Sequence, residues 1–137
     1  YFVYTLDIVS IIGYYRTMIN KQKDTMKPKY IVYRWNADAD NSEIIWDAPA
    51  KPTLDQLYKL IGCDTVEVHK GTDKSVSNRP FDMWMDESSK LKGRPKNLRA
   101  TNAWFRWLEK TYTPKTIGNV FTPGSYITGP VVVYKKI

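Results

Sequence analysis

Cysteine and histidine are almost absent from this sequence. Its 137 residues include one cysteine, Cys63, and one histidine, His69. A single cysteine cannot form an intramolecular disulfide, so a secreted domain held together by disulfides is excluded and a reducing compartment is expected. Zinc sites in proteins are built mainly from cysteine and histidine. We therefore expect no metal site, and no feature of the sequence predicts a cofactor.

The sequence also lacks a recognisable catalytic constellation. His69 has no serine or cysteine nucleophile in a recognisable setting, and no lysine or arginine stands immediately beside Cys63 to activate its thiol. Asp82 and Asp86 fall on the outward side of a predicted strand, where carboxylates serve to solubilise a sheet face. The prediction is that the protein is not an enzyme.

The composition is that of one globular domain with an excess of positive charge. A chain of this length can bury enough surface to fold without staples. The formal net charge is +7, and 14% of the residues are aromatic. A positive protein attracts polyanions, which leaves nucleic acid, an acidic protein and anionic lipid as partner classes.

An apolar leader, residues 1–25, precedes the predicted domain, residues 26–137. The leader is interrupted by Asp7 and Arg16, which are costly inside a bilayer, so we do not expect it to span a membrane. Its basic residues follow the apolar stretch, whereas a signal peptide carries them before it, so secretion is not expected. An extra packing strand or helix, a partner-docking arm and an upstream extension that adds nothing to the domain all stay open.

Alternating polar and apolar residues predict three strands, and an apolar run and a valine-rich run predict two more. The alternation places Val66 and Val68 inward, with Glu67 and His69 on the outward side. In the fourth strand the same pattern puts three apolar residues inward and the intervening Trp84 outward. Gly129 and Pro130 fall within the last predicted strand and suggest a bulge or an edge position. The predicted strands are Tyr30–Trp35, Glu43–Trp46, Thr65–His69, Phe81–Asp86 and Tyr126–Tyr134, and the inward residues of the fourth are Phe81, Met83 and Met85.

Two amphipathic helices are predicted. Thr53 and Gln56 have the spacing of a capping box, and Gly62 is suited to the left-handed residue that ends a helix. Asn97 caps the second helix, on which Trp107 falls opposite Leu98 and beside Ala103, on the side predicted to be exposed. The predicted buried stripes are Leu54, Leu57, Tyr58 and Ile61 on the first helix, and Leu98, Thr101, Trp104, Phe105, Leu108 and Tyr112 on the second.

These elements predict an α+β fold. Their order is β-β-α-β-β-α-β, and we expect a small mixed or mostly antiparallel sheet with both helices on one face.

The strongest functional signal is a basic segment without acidic residues that continues onto the second helix. Its cations, beside an exposed Trp107, would combine phosphate neutralisation with a stacking surface for single-stranded nucleic acid. Tryptophan and arginine are equally the residues that dominate protein interfaces, and none of the named nucleic-acid-binding motifs is present. We therefore favour a protein partner and keep nucleic acid as the alternative. The candidate site comprises Lys90, Lys92, Arg94, Lys96, Arg99, Arg106, Trp107 and Lys110.

Three sequence blocks, in this order, resemble a small domain family of unknown function that phages, mobile elements and large algal viruses encode. They are Thr53–Gly62 leading into Val66-Glu67-Val68, then Asp86-Glu87 with Lys90–Gly93 and Asn97–Thr101, then Ile127 with Gly129–Val133. The resemblance spans most of residues 27–136. It implies a viral or phage accessory protein, either a virion component or a modulator of a host protein, located in the virion or the host cytoplasm. The family has no established activity, so the resemblance implies no mechanism.

Overall fold

The computed structural model describes residues 11–13, 16, 27–38, 43–113 and 125–137. Within residues 27–38, 43–113 and 125–137 the chain forms five strands and two helices in the order β-β-α-β-β-α-β, as predicted. The strands are β1 (Tyr30–Trp35), β2 (Glu43–Ala48), β3 (Val66–Asp73), β4 (Ser77–Asp86) and β5 (Val131–Lys136), and the helices are α1 (Leu54–Ile61) and α2 (Leu98–Thr111).

The strands form one antiparallel sheet in the order β2-β1-β5-β4-β3. This confirms the α+β class and the antiparallel alternative. The last strand begins at Val131, later than predicted, and lies in the middle of the sheet, so an edge position for it is wrong. Gly129 precedes the strand with a φ of 74°, a left-handed conformation that redirects the chain into the sheet.

The two helices pack on opposite faces of the sheet, so the prediction that both lie on one face is wrong. Alternate residues of β1 show why: Tyr33 and Trp35 belong to the core cluster that α2 covers, whereas Val32 belongs to the cluster that α1 covers. A strand at the sheet centre has two buried faces, and strand alternation alone does not reveal that its second face is covered. The α2-side core is Tyr33, Trp35, Val76, Phe81, Met83, Met85, Ala100, Ala103, Ile127, Val131 and Val133, and the α1-side core is Val32, Trp46, Ala48, Leu57, Leu60, Ile61 and Val132.

Helix α1 has the predicted ends. The hydroxyl of Thr53 accepts from the backbone N–H of Gln56, and the Gln56 side chain accepts from the backbone N–H of Thr53. Gly62 ends the helix with φ 76° and ψ 49°, the left-handed conformation expected of a glycine cap. The buried side differs slightly from the prediction, because Leu60 is fully buried and Leu54 is exposed.

Helix α2 buries part of the predicted stripe, since Thr101 and Leu108 are buried and Trp104 packs against the α2-side core, but the stripe is shifted toward Ala100 and Ala103. Leu98 is 63% exposed, whereas Ala103 is completely buried. The close approach of the helix to the sheet is made by small residues, Ala100 and Ala103, and a hydrophobicity pattern weighted toward large side chains does not find them. Trp107 lies on the same side as Ala103 and is half-buried, so the prediction of an exposed Trp107 is wrong.

Strands β3 and β4 form a long hairpin, and the predicted inward set of β4, Phe81, Met83 and Met85, is confirmed. Trp84 is not simply exposed, because it is half-buried against the α1-side core. On β3 the prediction of an outward His69 is wrong, since its ring is half-buried and meets Trp104 of α2 edge to face at 5.3 Å. Val68, predicted inward, is 47% exposed.

Part of the leader packs against the α1-side core. Ile11 and Ile12 are helical, half-buried and packed against the α1-side core. Of the alternatives for residues 1–25, this contact favours a packing helix. The rest of the leader, apart from Gly13 and Arg16, lies outside the described residues.

Candidate partner-binding site

The structure divides the predicted basic site between several places. Lys92 and Arg94 lie on the α1 side of the sheet, where both approach Asp86. The Asp86 carboxylate is completely buried and accepts from Lys92 Nζ at 2.8 Å and from the backbone N–H of Ser88 at 2.9 Å. Burial alone would raise the pKa of Asp86, but these hydrogen bonds and the two cations outweigh it and lower the pKa. The prediction that Asp86 solubilises an exposed face is wrong.

Arg94 also binds the C-terminal end of helix α1. Its guanidinium donates to the carbonyl of Ile61 at 2.8 Å and to that of Gly62. These are among the carbonyls that a helix end leaves without an intrahelical partner, and a cation there also meets the negative end of the helix dipole. Arg94 therefore has a structural role in joining the turn after β4 to α1.

Arg99 is likewise used within the fold. Its guanidinium lies 4.8 Å from the ring centroid of Trp35, and its Nε donates to Asp73 at 2.8 Å. It also lies 3.4 Å from Glu43 of β2. Since β2 and β3 are the two edge strands, Arg99 ties opposite edges of the sheet to the start of α2. These contacts make Arg99 a structural residue.

Lys90 and Lys96 come together around one aromatic ring. Their ammonium groups lie 4.7 Å and 5.3 Å from the ring centroid of Tyr126. Within the described part of the chain, neither lysine has a carboxylate at ion-pair distance. Tyr126 is 39% exposed, and it is placed by its neighbour Ile127, whose backbone N–H donates to Thr101 Oγ1 at 3.0 Å. The result is a small cationic and aromatic surface beside α2.

The remaining predicted site residues lie further along α2. Arg106 and Lys110 are exposed, and no ion pair holds either of them within the described residues. The ring of Trp107 meets that of Tyr112 edge to face at 5.9 Å. Because it is half-buried on the side of the helix that faces the sheet, Trp107 is not the exposed stacking surface that the nucleic-acid hypothesis required.

The turn between β4 and α2 holds an apolar side chain in solvent. Leu91 is 92% exposed, although it lies between residues that are tightly held. Ser89 Oγ donates to the carbonyl of Thr128 at 2.8 Å, and Lys92 is bound to Asp86. The backbone N–H of Gly129 donates to the carbonyl of Pro95 at 2.8 Å, which closes the same loop. An isolated exposed leucine needs no explanation, but this one borders Tyr126 and Lys90 on a braced loop.

A pocket of about 250 Å³ opens beside Leu91 and Tyr126. Trp104 and His69 contribute aromatic surface, and Glu67 lies 3.6 Å from His69 Nε2. Thr128 also lines the pocket, and its Oγ1 is buried without a hydrogen-bond partner among the described residues.

Sequence reasoning did not identify four residues of this site: His69, Leu91, Trp104 and Tyr126. The helical pattern predicts Trp104 to be a core residue, and the alternation of β3 predicts His69 outward because it does not reveal that both faces of the sheet are covered. The pattern also predicts Tyr126 to lie inside the last strand. The only sequence signal for Leu91 is its position as an apolar residue between the lysines of a predicted loop.

Comparison with known proteins identified no relative. No protein-family model, curated protein or solved structure matches the chain. The resemblance to the phage- and virus-encoded family stays a prediction. Across the described residues, no helix is both long and apolar enough to cross a membrane.

Proposed function

We propose that this protein acts by binding another protein, without catalysis, through the surface formed by Lys90, Leu91, Lys96 and Tyr126. Leu91 carries the proposal, because a leucine that is 92% exposed beside an exposed tyrosine gains nothing from its position in the folded chain. Burying such a side chain in an interface is favourable by about 1.5–3 kcal/mol.

The surface indicates the chemistry of the partner. Apolar contact with Leu91 and Tyr126 suits apolar side chains, and the two lysines suit carboxylates placed beside them. The proposed partner is therefore a protein segment that combines apolar and acidic residues. The resemblance to phage- and virus-encoded proteins supports placing this chain among viral accessory proteins, in the virion or in contact with a host protein.

Nucleic acid is the competing ligand class, and the geometry favours it less. Trp107, the ring on which the nucleic-acid hypothesis depends, is half-buried. Base stacking needs an accessible aromatic face.

Selection from a random peptide library with the full chain as bait tests the proposal. We expect the enriched peptides to carry Asp or Glu next to apolar residues. Their affinity should fall at least tenfold for Leu91→Asp and for the double variant Lys90→Glu/Lys96→Glu, and raised salt should weaken binding to the wild type.

Matched controls separate the surface from general charge effects. Ile45→Asp changes another exposed apolar residue, 54% exposed on β2, and Arg106→Glu/Lys110→Glu makes the same change in net charge elsewhere. Both controls should bind as the wild type does. The proposal is refuted if all four variants bind the peptides equally, or if single-stranded oligothymidylate binds and loses affinity with the same two test variants.

A further inference from the structure

We infer that two copies of this chain associate through strand β3, whose outer edges pair antiparallel and join the two sheets into one. β3 is one of the two edge strands of the five-stranded sheet. Among the described residues, no strand lies on its outer side, and an unpaired edge is a template for another strand. The inference goes beyond the proposed function, because it concerns a different set of residues and a second copy of the chain.

The accessible part of this edge is residues 66–70. Val68, at its centre, is 47% exposed, whereas Gly71 and Thr72, which follow, are buried. A register shift between Gly71 and Asp73 also interrupts the ladder with β4. Such irregularities turn an edge away from further pairing. The regular edge that a second copy can reach therefore ends near residue 70.

A two-fold axis through Val68 sets the register of the pair. In an antiparallel pair of identical strands, residues at equal distances on either side of the axis lie opposite each other. Val68 then faces Val68 of the second copy. On β4 the cross-strand neighbour of Val68 is Trp84, which is half-buried. The register thus forms one apolar row across the interface, with a tryptophan at each end and the two valines between them.

The other face of the pair carries complementary polar groups. Glu67 and His69 lie next to each other on their own strand, with 3.6 Å between the carboxylate and Nε2. The same axis places Glu67 opposite His69 of the second copy, on both sides of the axis. An imidazole N–H donates to a carboxylate, so both pairs are favourable. An axis shifted by one residue would instead place Glu67 against Glu67, or His69 against His69.

The opposite edge of the sheet, β2, is unsuited to the same pairing. An axis through its exposed residue, Ile45, would place Glu43 opposite Asp47 on both sides, and like charges directly opposite are destabilising. Lysine often protects an edge strand, but Lys70 of β3 is paired with Asp82 of β4. The accessible edge of β3 therefore lacks the charge repulsion that β2 has.

Sedimentation equilibrium of the full chain tests the inference. The contact covers one short strand segment, so we expect a weak dimer with a dissociation constant of about 1–100 µM. Val68→Lys and Val68→Glu each place like charges opposite each other on the axis and should weaken the dimer at least about tenfold. An equimolar mixture of these two variants should dimerise again, because lysine then faces glutamate. This rescue requires that residue 68 lies opposite itself.

Matched controls use the other edge strand. Ile45→Lys and Ile45→Glu make the same charge changes at an exposed apolar residue of β2, and both should dimerise as the wild type does. Unchanged far-UV circular dichroism and urea midpoints would show that the Val68 variants keep the fold. A wild type that stays monomeric up to about 500 µM would overturn the inference. Equal weakening by the Ile45 variants, or a mixture of the two Val68 variants that stays monomeric, would overturn it as well.

Discussion

Replacing Asn97 by alanine should be among the most damaging single substitutions in this protein. Asn97 is completely buried at the start of α2, where its side-chain oxygen accepts from the backbone N–H of Ala100 at 3.1 Å. Its amide nitrogen donates to the carbonyls of Trp35 and Gly129, both at 2.9 Å. One side chain therefore connects α2, β1 and the chain leading into β5.

The magnitude follows from these three hydrogen bonds. Loss of the cap costs about 1 kcal/mol, and each of the two buried carbonyls left without the amide adds about 1–1.5 kcal/mol. The expected decrease in the free energy of unfolding is about 3–4 kcal/mol for Asn97→Ala. Thr53→Ala removes an exposed cap from α1 and should cost only about 1 kcal/mol.

Urea unfolding followed by tryptophan fluorescence measures both variants, and comparable m-values would show that the same surface unfolds. Asn97→Asp is the sharper test, because aspartate caps helices as well as asparagine does but cannot donate to the two carbonyls. We expect Asn97→Asp to destabilise the protein as well. If it is tolerated, or if Asn97→Ala costs no more than Thr53→Ala, the argument from the two carbonyls is refuted.

Three further predictions concern Asp86, Gly129 and Cys63. The folded state lowers the pKa of Asp86, so its contribution to stability is complete above the unfolded pKa of about 3.9 and is lost as the pH falls through the folded pKa. When unfolding is measured across acid pH, the wild type should therefore lose stability more steeply below about pH 4 than Asp86→Asn does. Gly129→Ala should destabilise the protein by roughly 2–3 kcal/mol, because the new Cβ would lie 2.7 Å from Ser89 Oγ. Gly93 also has a positive φ but lies in open space, so Gly93→Ala should cost only about 1–2 kcal/mol in the same urea assay. Burial raises the pKa of the Cys63 thiol, so iodoacetamide should alkylate the folded protein more slowly at pH 8 than the urea-unfolded protein, and equal rates would contradict this.

The two lysines of the proposed surface differ from the other cations of the segment in one physical respect. Lys92 and Arg94 pair with Asp86, and Arg94 also binds the end of α1. Arg99 pairs with Asp73 and Glu43. Lys90 and Lys96 meet only an aromatic ring among the described residues, so their charge stays available to a ligand.

Local chemistry was enough to predict the elements and several of their ends. The capping box of Thr53, the left-handed Gly62 and the cap of Asn97 depend on contacts within a few residues, so their sequence signals are complete in themselves. The α+β class followed from the order of these elements for the same reason.

The faces of the sheet and the site were decided by the tertiary structure. Alternation shows that a strand has two sides, but only the position of α1 and α2 decides whether one or both are covered. A run of cations likewise looks uniform in sequence. Folding brings the carboxylate of Asp86 and the end of α1 to Lys92 and Arg94, and it brings Tyr126 to Lys90, because long-range contacts between residues far apart in the chain select a partner for each charge.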